Sequence, residues 1–322
     1  MKKVLSRLVK SRKTRKVVYN CWRSIFRKEM WGAYVQYSDG NCIRLNMGKH
    51  QWHQDYCADP FLFVPSVNGE RYLFYETLDN KDKGIIGCFK EVGGDWQQLG
   101  KVLECDYHIS YPQVFEDNGD IYMIPESCAN GTVDLFRAKE FPMCWEKIKT
   151  LISLPSVDST LLHTEEGYFL FCHVGMPGQK GYSELWWAKS LMDKWRRHPQ
   201  CRNINQSRRL ARNGGCCLRE GGRIYRVVQD CCGAYGKRVF RIPILKITKE
   251  LYEEGKAQLL LNGKTSEYHG GRHTYNVQPS AHLVAFDVQE WRIRPIKEVM
   301  GRITHLLLLF CKKIVRQVYI KD

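Results

Sequence analysis

A chain of 322 residues with 43% hydrophobic and 12% aromatic residues can bury a core over most of its length, which excludes a largely disordered protein. Its formal charge of +16 leaves nucleic acid, anionic lipid and phosphorylated sugars open as partners and says nothing about the fold.

Residues 1–30 are dense in Lys and Arg and lack the 7–15-residue apolar stretch of a secretory signal peptide, so a basic helical segment is expected there. Residues 31–295 carry an internal repeat. Its first copy reads ADPFLFVPSVNGERYLFYE, followed by a strand at Gly84–Phe89 and by Trp96. The second reads SYPQVFEDNGDIYMIPE and then VDLFRAKEFPMCW; the third reads VDSTLLHTEEGYFLFCH and then SELWWAKSLMDKW. The fourth is ARNGGCCLREGGRIYRVVQD with RVFRIPILKITKELY, and a degenerate fifth begins near HTYNVQPSAHLVAFDV. Asp59, Tyr111, Asp158 and Arg212 head successive copies at spacings of 52, 47 and 54 residues. Short, turn-bounded apolar runs at that period predict an all-β, five-bladed β-propeller, with GAYVQYS supplying an outer strand that closes the ring.

Residues 296–322 place Leu307, Phe310, Ile314 and Val318 at helical spacing beside Lys312, Lys313 and Arg316. The apolar run there is far below the ~20 residues of a membrane-spanning helix. Such a basic amphipathic helix either lies on an anionic membrane surface or caps the domain as a solvated helix. The fourteen cysteines include no C-x-x-C, and the neighbours Cys216-Cys217 and Cys231-Cys232 would point to opposite faces of a strand. Reduced thiols filling core sites are expected, with no metal site and no cofactor.

In a propeller blade the start of the innermost strand and the end of the second strand meet at one rim. Here those positions are polar: Asp59 and Glu76, Tyr111 and Glu126, Asp158 and His173, Arg212 with Gln229 and Asp230, then His273. Buried charge is costly unless paired, and convergent polar groups in a concavity mark a ligand site. Some of these residues are instead expected to pair across blades and lock the ring. The nearby aromatics Trp52, Tyr56, Tyr111, Tyr235 and Tyr275 favour a sugar ring over a small apolar ligand.

The motifs ADPFLF…YLFYE, ISYPQVF…YMIPES, VDSTLL, LWWAKSL and RIYRVVQDCCGAYG together resemble the N-terminal propeller domain of glucosamine inositolphosphorylceramide transferases and its bacterial polysaccharide-synthesis relatives, over roughly Trp52–Tyr252. ADPF at a blade start is more distantly similar to the five-bladed glycoside hydrolases of families 43 and 32. That likeness implies a base or nucleophile role for Asp59 and an acid-tuning role for Asp158. The blade-four position that carries the acid Glu in family 43 reads ARNGG here, so the hydrolase pattern is broken.

Three functions follow as expectations. The first is a metal-independent, glycosyltransferase-like enzyme of cell-surface polysaccharide or glycolipid synthesis, at the cytoplasmic face of the membrane. There Asp59 activates an acceptor hydroxyl, and Arg212, His163, His173 and His273 lie near the phosphate of a nucleotide- or phospho-sugar donor, with Tyr235 and Gln229 binding substrate. The second is a glycoside hydrolase or phosphorylase using Asp59 and Glu126 as its carboxylate pair. The third is a non-catalytic carbohydrate-binding propeller serving a partner transferase. No nucleic-acid partner is expected, because no recognition module shows.

Overall fold

The computed structural model describes residues 25–46, 56–175, 181–207, 209–232, 235–262, 270–293, 295–296 and 298–304. Two strands, β1 (Arg27–Tyr37) and β2 (Cys42–Arg44), precede the first complete blade. Blade one is β3 (Ala58–Phe63), β4 (Tyr72–Leu78), β5 (Gly84–Val92) and β6 (Asp95–Leu103). Blade two is β7 (Ser110–Asp117), β8 (Asp120–Ser127), β9 (Thr132–Glu140) and β10 (Cys144–Ile152). Blade three is β11 (Ser156–Thr164), β12 (Gly167–Val174), β13 (Tyr182–Ala188) and a two-residue β14 (Arg196–Arg197). Blade four is β15 (Leu218–Glu220), β16 (Arg223–Asp230), β17 (Arg238–Ile247) and β18 (Tyr252–Glu254), with β19 (Gln258–Asn262) also paired to β17. Blade five joins the chain's two ends: β20 (Tyr275–Gln278) and β21 (Leu283–Ile293) continue into β1 and β2 in the order β2-β1-β21-β20. The five small antiparallel sheets form the expected five-bladed propeller.

By compactness the chain divides into Trp31–Gln289, which holds the blades, and a second unit drawn from 1–30 and 290–322. Of the basic segments expected at 1–30 and 296–322, most lies outside the described residues; the described part of the latter includes a short helix over 298–304. No described helix is long and apolar enough to cross a membrane.

Period-2 alternation aims one side-chain set of each strand at the neighbouring blade, and every seam is filled by an apolar cluster. Phe63, Phe74 and Ile86 of blade one meet Met123, Phe136 and Trp145 of blade two. Tyr122, Ile124 and Leu135 meet Leu161, Leu170 and Ala188 at the next seam. Leu162, Phe169 and Phe171 meet Ile244 and Tyr252, and Leu218 and Val227 meet Tyr275 and Val277. Ala33, Val35 and Leu283 close onto Leu73, Tyr75 and Phe89. Each large apolar side chain so buried stabilises the fold by about 1.5–3 kcal/mol. Cys88, Cys172 and Cys201 pack inside these seams as thiols.

Two positions differ from the sequence expectation. Blade four has no inner strand running from Arg212: only the Asn213–Val228 bridge precedes β15. The backbone of blade five crowds it there. A Cβ on Gly215 (φ +143°) would lie 2.0 Å from the Tyr275 carbonyl oxygen, so the segment is a glycine-built bend rather than a strand. Tyr111 is a plug of the central channel and not a rim residue. It is fully buried, its ring edge-on to Phe61, and its hydroxyl lies 2.9 Å from Thr160 Oγ1 and accepts the Gly215 N–H at 2.6 Å. One side chain thereby ties blades two, three and four at the axis.

Arg226 of β16 is the largest fully buried side chain among the described residues, paired with Glu254 at 2.7 Å and donating to Asn213 Oδ1. A buried ion left alone is severely destabilising, whereas an apolar replacement of both partners is tolerated. Arg226→Ala is therefore expected to cost about 3–5 kcal/mol in urea unfolding, and Arg226→Met with Glu254→Leu to recover most of it.

Candidate functional site

The rim is built by one local device used three times. Asp59, Tyr111 and Asp158 sit at φ 48°, 49° and 49°, left-handed backbone that non-glycine residues seldom adopt. In each inner strand the pairing register slips across this residue, between Ala58 and Phe61, Ser110 and Gln113, and Val157 and Thr160. The resulting bulge takes the residue's N–H out of the ladder. For two of the three, the preceding blade supplies the missing acceptor. The Asp59 N–H donates to Asp287 Oδ2 at 3.1 Å, and the Asp158 N–H donates to Glu126 Oε2 at 3.1 Å.

Around Asp59 lies a compact charged cluster. Asp59 Oδ1 accepts the Thr274 hydroxyl at 2.6 Å and lies 3.2 Å from His273 Nε2. The other ring nitrogen, Nδ1, is at ion-pair distance from Asp287 Oδ2, 2.7 Å, without hydrogen-bond alignment. Asp287 Oδ1 also accepts the His273 and Thr274 N–H groups at 3.0 Å. Burial pulls the His273 imidazole down, but the Asp287 and Asp59 carboxylates together outweigh it and hold the ring well above the ordinary histidine range. An imidazolium clasped by two carboxylates results. Asp59, His273 and Asp287 also offer three ligand atoms within 4.8 Å of one another, so they are a group able to hold a metal ion. Both Asp287 oxygens and Asp59 Oδ1 already accept amide or hydroxyl hydrogens, while His273 Nδ1 has no aligned hydrogen-bond partner. Asp287 was not singled out from the sequence. It ends HLVAFD as Glu76 ends YLFYE and Glu126 ends YMIPE, and that alignment was the signal.

The second cluster centres on Asp158. Its Oδ2 accepts Arg212 Nε at 2.5 Å and Gln229 Nε2 at 2.6 Å, while its carbonyl accepts Asn213 Nδ2 at 2.8 Å. Burial, with the Asp158 charge second, holds the Glu126 carboxyl well above the usual carboxylate range against the pull of Arg212. Burial and Asp59 likewise raise Glu76, while its His108 contact at 3.3 Å opposes them. His173 is pushed down to about 4 by burial and by the Arg212 charge, and is neutral at physiological pH. Tyr235 bridges the clusters. Its ring lies 5.2 Å from that of His273 and 5.2 Å from the Arg212 guanidinium, and 41% of the residue is exposed. Trp31, also missed in the sequence, packs on His273 at 4.1 Å.

The structure thus brings Asp59, Glu76, Glu126, Asp158, His173, Arg212, Gln229, Tyr235 and His273 to one rim and, besides Tyr111, leaves two candidates off it. His163 lies at the opposite end of β11, paired across from Tyr168 and stacked on its ring at 4.2 Å. Asp230 is one residue past Gln229, so strand alternation turns it to the other face, where it is paired with Arg238 at 2.7 Å and Arg209 at 3.5 Å. Trp52 lies outside the described residues.

A closed five-bladed ring with polar residues gathered at one rim defines the class: a five-bladed β-propeller. The chain belongs to the family of glucosamine inositolphosphorylceramide transferase 1 N-terminal domains, whose profile matches residues 42–294. It is 37% identical over 243 residues to the Arabidopsis thaliana glucosamine inositolphosphorylceramide transferase 1, covering 73% of this chain and 31% of that protein. The protein of the same name from Oryza sativa subsp. japonica is 34% identical over 239 residues, covering 72% and 31%. The chain therefore spans about a third of the length of these curated relatives. Among solved structures, a family 43 glycoside hydrolase from Xanthomonas citri in complex with xylose superposes with a TM-score of 0.51 at 11% identity, over 77% of this chain and 89% of that one. A family 43 β-xylosidase/α-arabinofuranosidase from a compost metagenome gives 0.50 at 11%, over 77% and 95%. These likenesses establish the propeller fold.

A carboxyl with a raised folded-state pKa favours the fold at pH below its unfolded value and loses that contribution as pH climbs through the raised value. Glutamine stays neutral throughout. Glu126→Gln is expected to be more stable than the parent at pH 8, with the difference closing below about pH 4; thermal unfolding across that range reads it directly.

Proposed function

We propose that the funnel binds a glycosyl unit and catalyses its metal-independent transfer during assembly of a glycolipid or polysaccharide. The observation carrying this reading is Glu126: a buried carboxyl at the same rim as Asp59, bonded to the Asp158 backbone, whose burial favours the protonated form. Glu126 is the proton donor to the departing oxygen. Asp59, oriented by Thr274 and His273, takes the proton of the incoming hydroxyl. Tyr235, with its exposed ring, offers a face to the sugar. Family membership supports the biosynthetic setting, since the relatives are named as glucosamine inositolphosphorylceramide transferases.

The cations expected to meet a donor phosphate are already engaged. Arg212 is bonded to Asp158, His273 lies between two carboxylates, His173 is neutral and His163 is elsewhere. This favours recognition of the glycosyl portion over recognition of a phosphate. The same saturation of the carboxylates favours, as a second reading, a funnel that binds sugar without turning it over.

Incubation with nucleotide sugars and with lipid and oligosaccharide acceptors separates the two. Transfer is expected, reduced by about 10²–10⁴ in Asp59→Asn and in Glu126→Gln. Glu126→Gln is expected to gain stability at neutral pH, so its thermal unfolding, measured alongside, separates lost turnover from unfolding. Sugar binding with no turnover by the parent chain establishes the second reading, and turnover unchanged in both variants removes these residues from the chemistry.

A further inference from the structure

A cleft of about 870 Å³ opens between blades two and three, lined by none of the rim residues. Its origin is a shortened strand. Where β6 and β10 each run for nine residues, β14 is only Arg196–Arg197 and pairs only with Trp187 and Trp186. Tyr182, Glu184 and Trp186, which alternation places on one side of β13, border the cleft, with Tyr182 exposed, Trp186 half-buried against the seam and Glu184 buried. Opposite stands the end of β10, from Lys149 to Ile152, and the loop bearing Met192 closes one side.

The lining combines aromatic rings with fixed polar groups. Tyr182 is 49% exposed and Met192 53%, although most large apolar residues of this blade are buried. The Trp186 indole N–H donates to Glu184 Oε2 at 2.9 Å, and Glu184 Oε1 pairs with Arg197 at 2.8 Å. Glu184 is nearly buried while the Arg197 side chain is half exposed, so one rigid acceptor and one accessible donor flank the rings. Lys149 Nζ donates to the carbonyls of Leu191 and Asp193, at 3.3 and 2.7 Å, which pins the 191–193 loop to blade two. The cleft is therefore pre-formed, and its volume lies in the range of small-ligand sites.

We propose that this cleft is a second, non-catalytic site for an oligosaccharide. Sugar rings present C–H faces that stack on Tyr182 and Trp186, and hydroxyl edges that meet the Glu184–Arg197 pair. A lipid chain would bring no hydrogen-bonding group to the half-exposed Arg197 guanidinium, and a helical peptide would need a broader apolar floor than one strand face provides. The site shares no residue with the funnel and stands whether or not the funnel is catalytic.

The test is titration of the full chain with cellotetraose, xylotetraose, chitotetraose and tetragalacturonate, followed by tryptophan fluorescence and calorimetry. At least one is expected to bind, with affinity about tenfold weaker in Trp186→Ala and in Tyr182→Ala and unchanged in Asp59→Asn. Tyr182 is half exposed, so its replacement is read in a folded protein even if Trp186→Ala fails to fold. Undiminished affinity in Tyr182→Ala overturns the proposal, as does loss of all binding in Asp59→Asn, which moves the ligand to the funnel. Failure of all four to bind overturns it as well; self-association abolished by Tyr182→Ala would then give the cleft to a second copy of the chain.

Discussion

The organising interaction is a hydrogen bond from a bulged main-chain amide to a buried carboxylate on the preceding blade. Asp287 receives the amide of Asp59, and Glu126 receives that of Asp158. An amide removed from its ladder inside the protein must find another acceptor or cost about 1–3 kcal/mol. Supplying that acceptor as a carboxylate joins two blades, brings charge into a dry place and fixes the next acid of the rim. The remaining polar contacts follow from this choice. His273 neutralises Asp287 and Asp59, while Arg212 and Gln229 satisfy Asp158. Glu126, which has no ion pair among the described residues, is held well above the usual carboxylate range by burial.

Under the proposed function, stability and chemistry draw on the same atoms. Glu126 is poorly placed for the fold at neutral pH and well placed to give up a proton, the opposition expected where function is maintained at the expense of stability. Beneath it, Arg226 holds Asn213, and Asn213 in turn holds the carbonyls of Asp158 and Phe171. Tyr111 locks the axis below the rim. The rim side chains thus rest on a fully bonded platform, which limits the motions that would blur their geometry.

The ring was legible because its cause is repetitive. Apolar alternation and the turns recur in every readable blade, with a Trp at a fixed offset in the first three, and GAYVQYS closes blade five as its pattern suggested. Asp59, Glu76, Glu126, Asp158 and Arg212 were legible for the same reason. The failures share a different cause. His163 and Asp230 were placed by proximity in sequence, whereas strand length carries the first to the far turn and alternation turns the second away. Tyr111 holds the same bulged position as Asp59, but its longer side chain reaches across the axis instead of along the rim. Trp31 and Asp287 arrive from the degenerate blade, where the repeat is faintest. The bulge itself, which decides where each first residue points, has no composition of its own in ADPF, SYPQ and VDST.

Blade five is sewn from both ends of the chain, β1 and β2 lying outside β21 and β20. During synthesis, an early strand with Met30, Trp31, Ala33 and Val35 destined for burial emerges long before Leu283 exists to pair with it. Blades one to four can form hairpin by hairpin from local pairing, but closure requires the most distant contact in the fold and pays its loop entropy last. Until then the nascent protein carries an open strand edge and an unfilled seam, the kind of surface that chaperones and aggregates both recognise. The ring's edges are thus closed only once β20 and β21 have been made, and the unclosed propeller is its most vulnerable state.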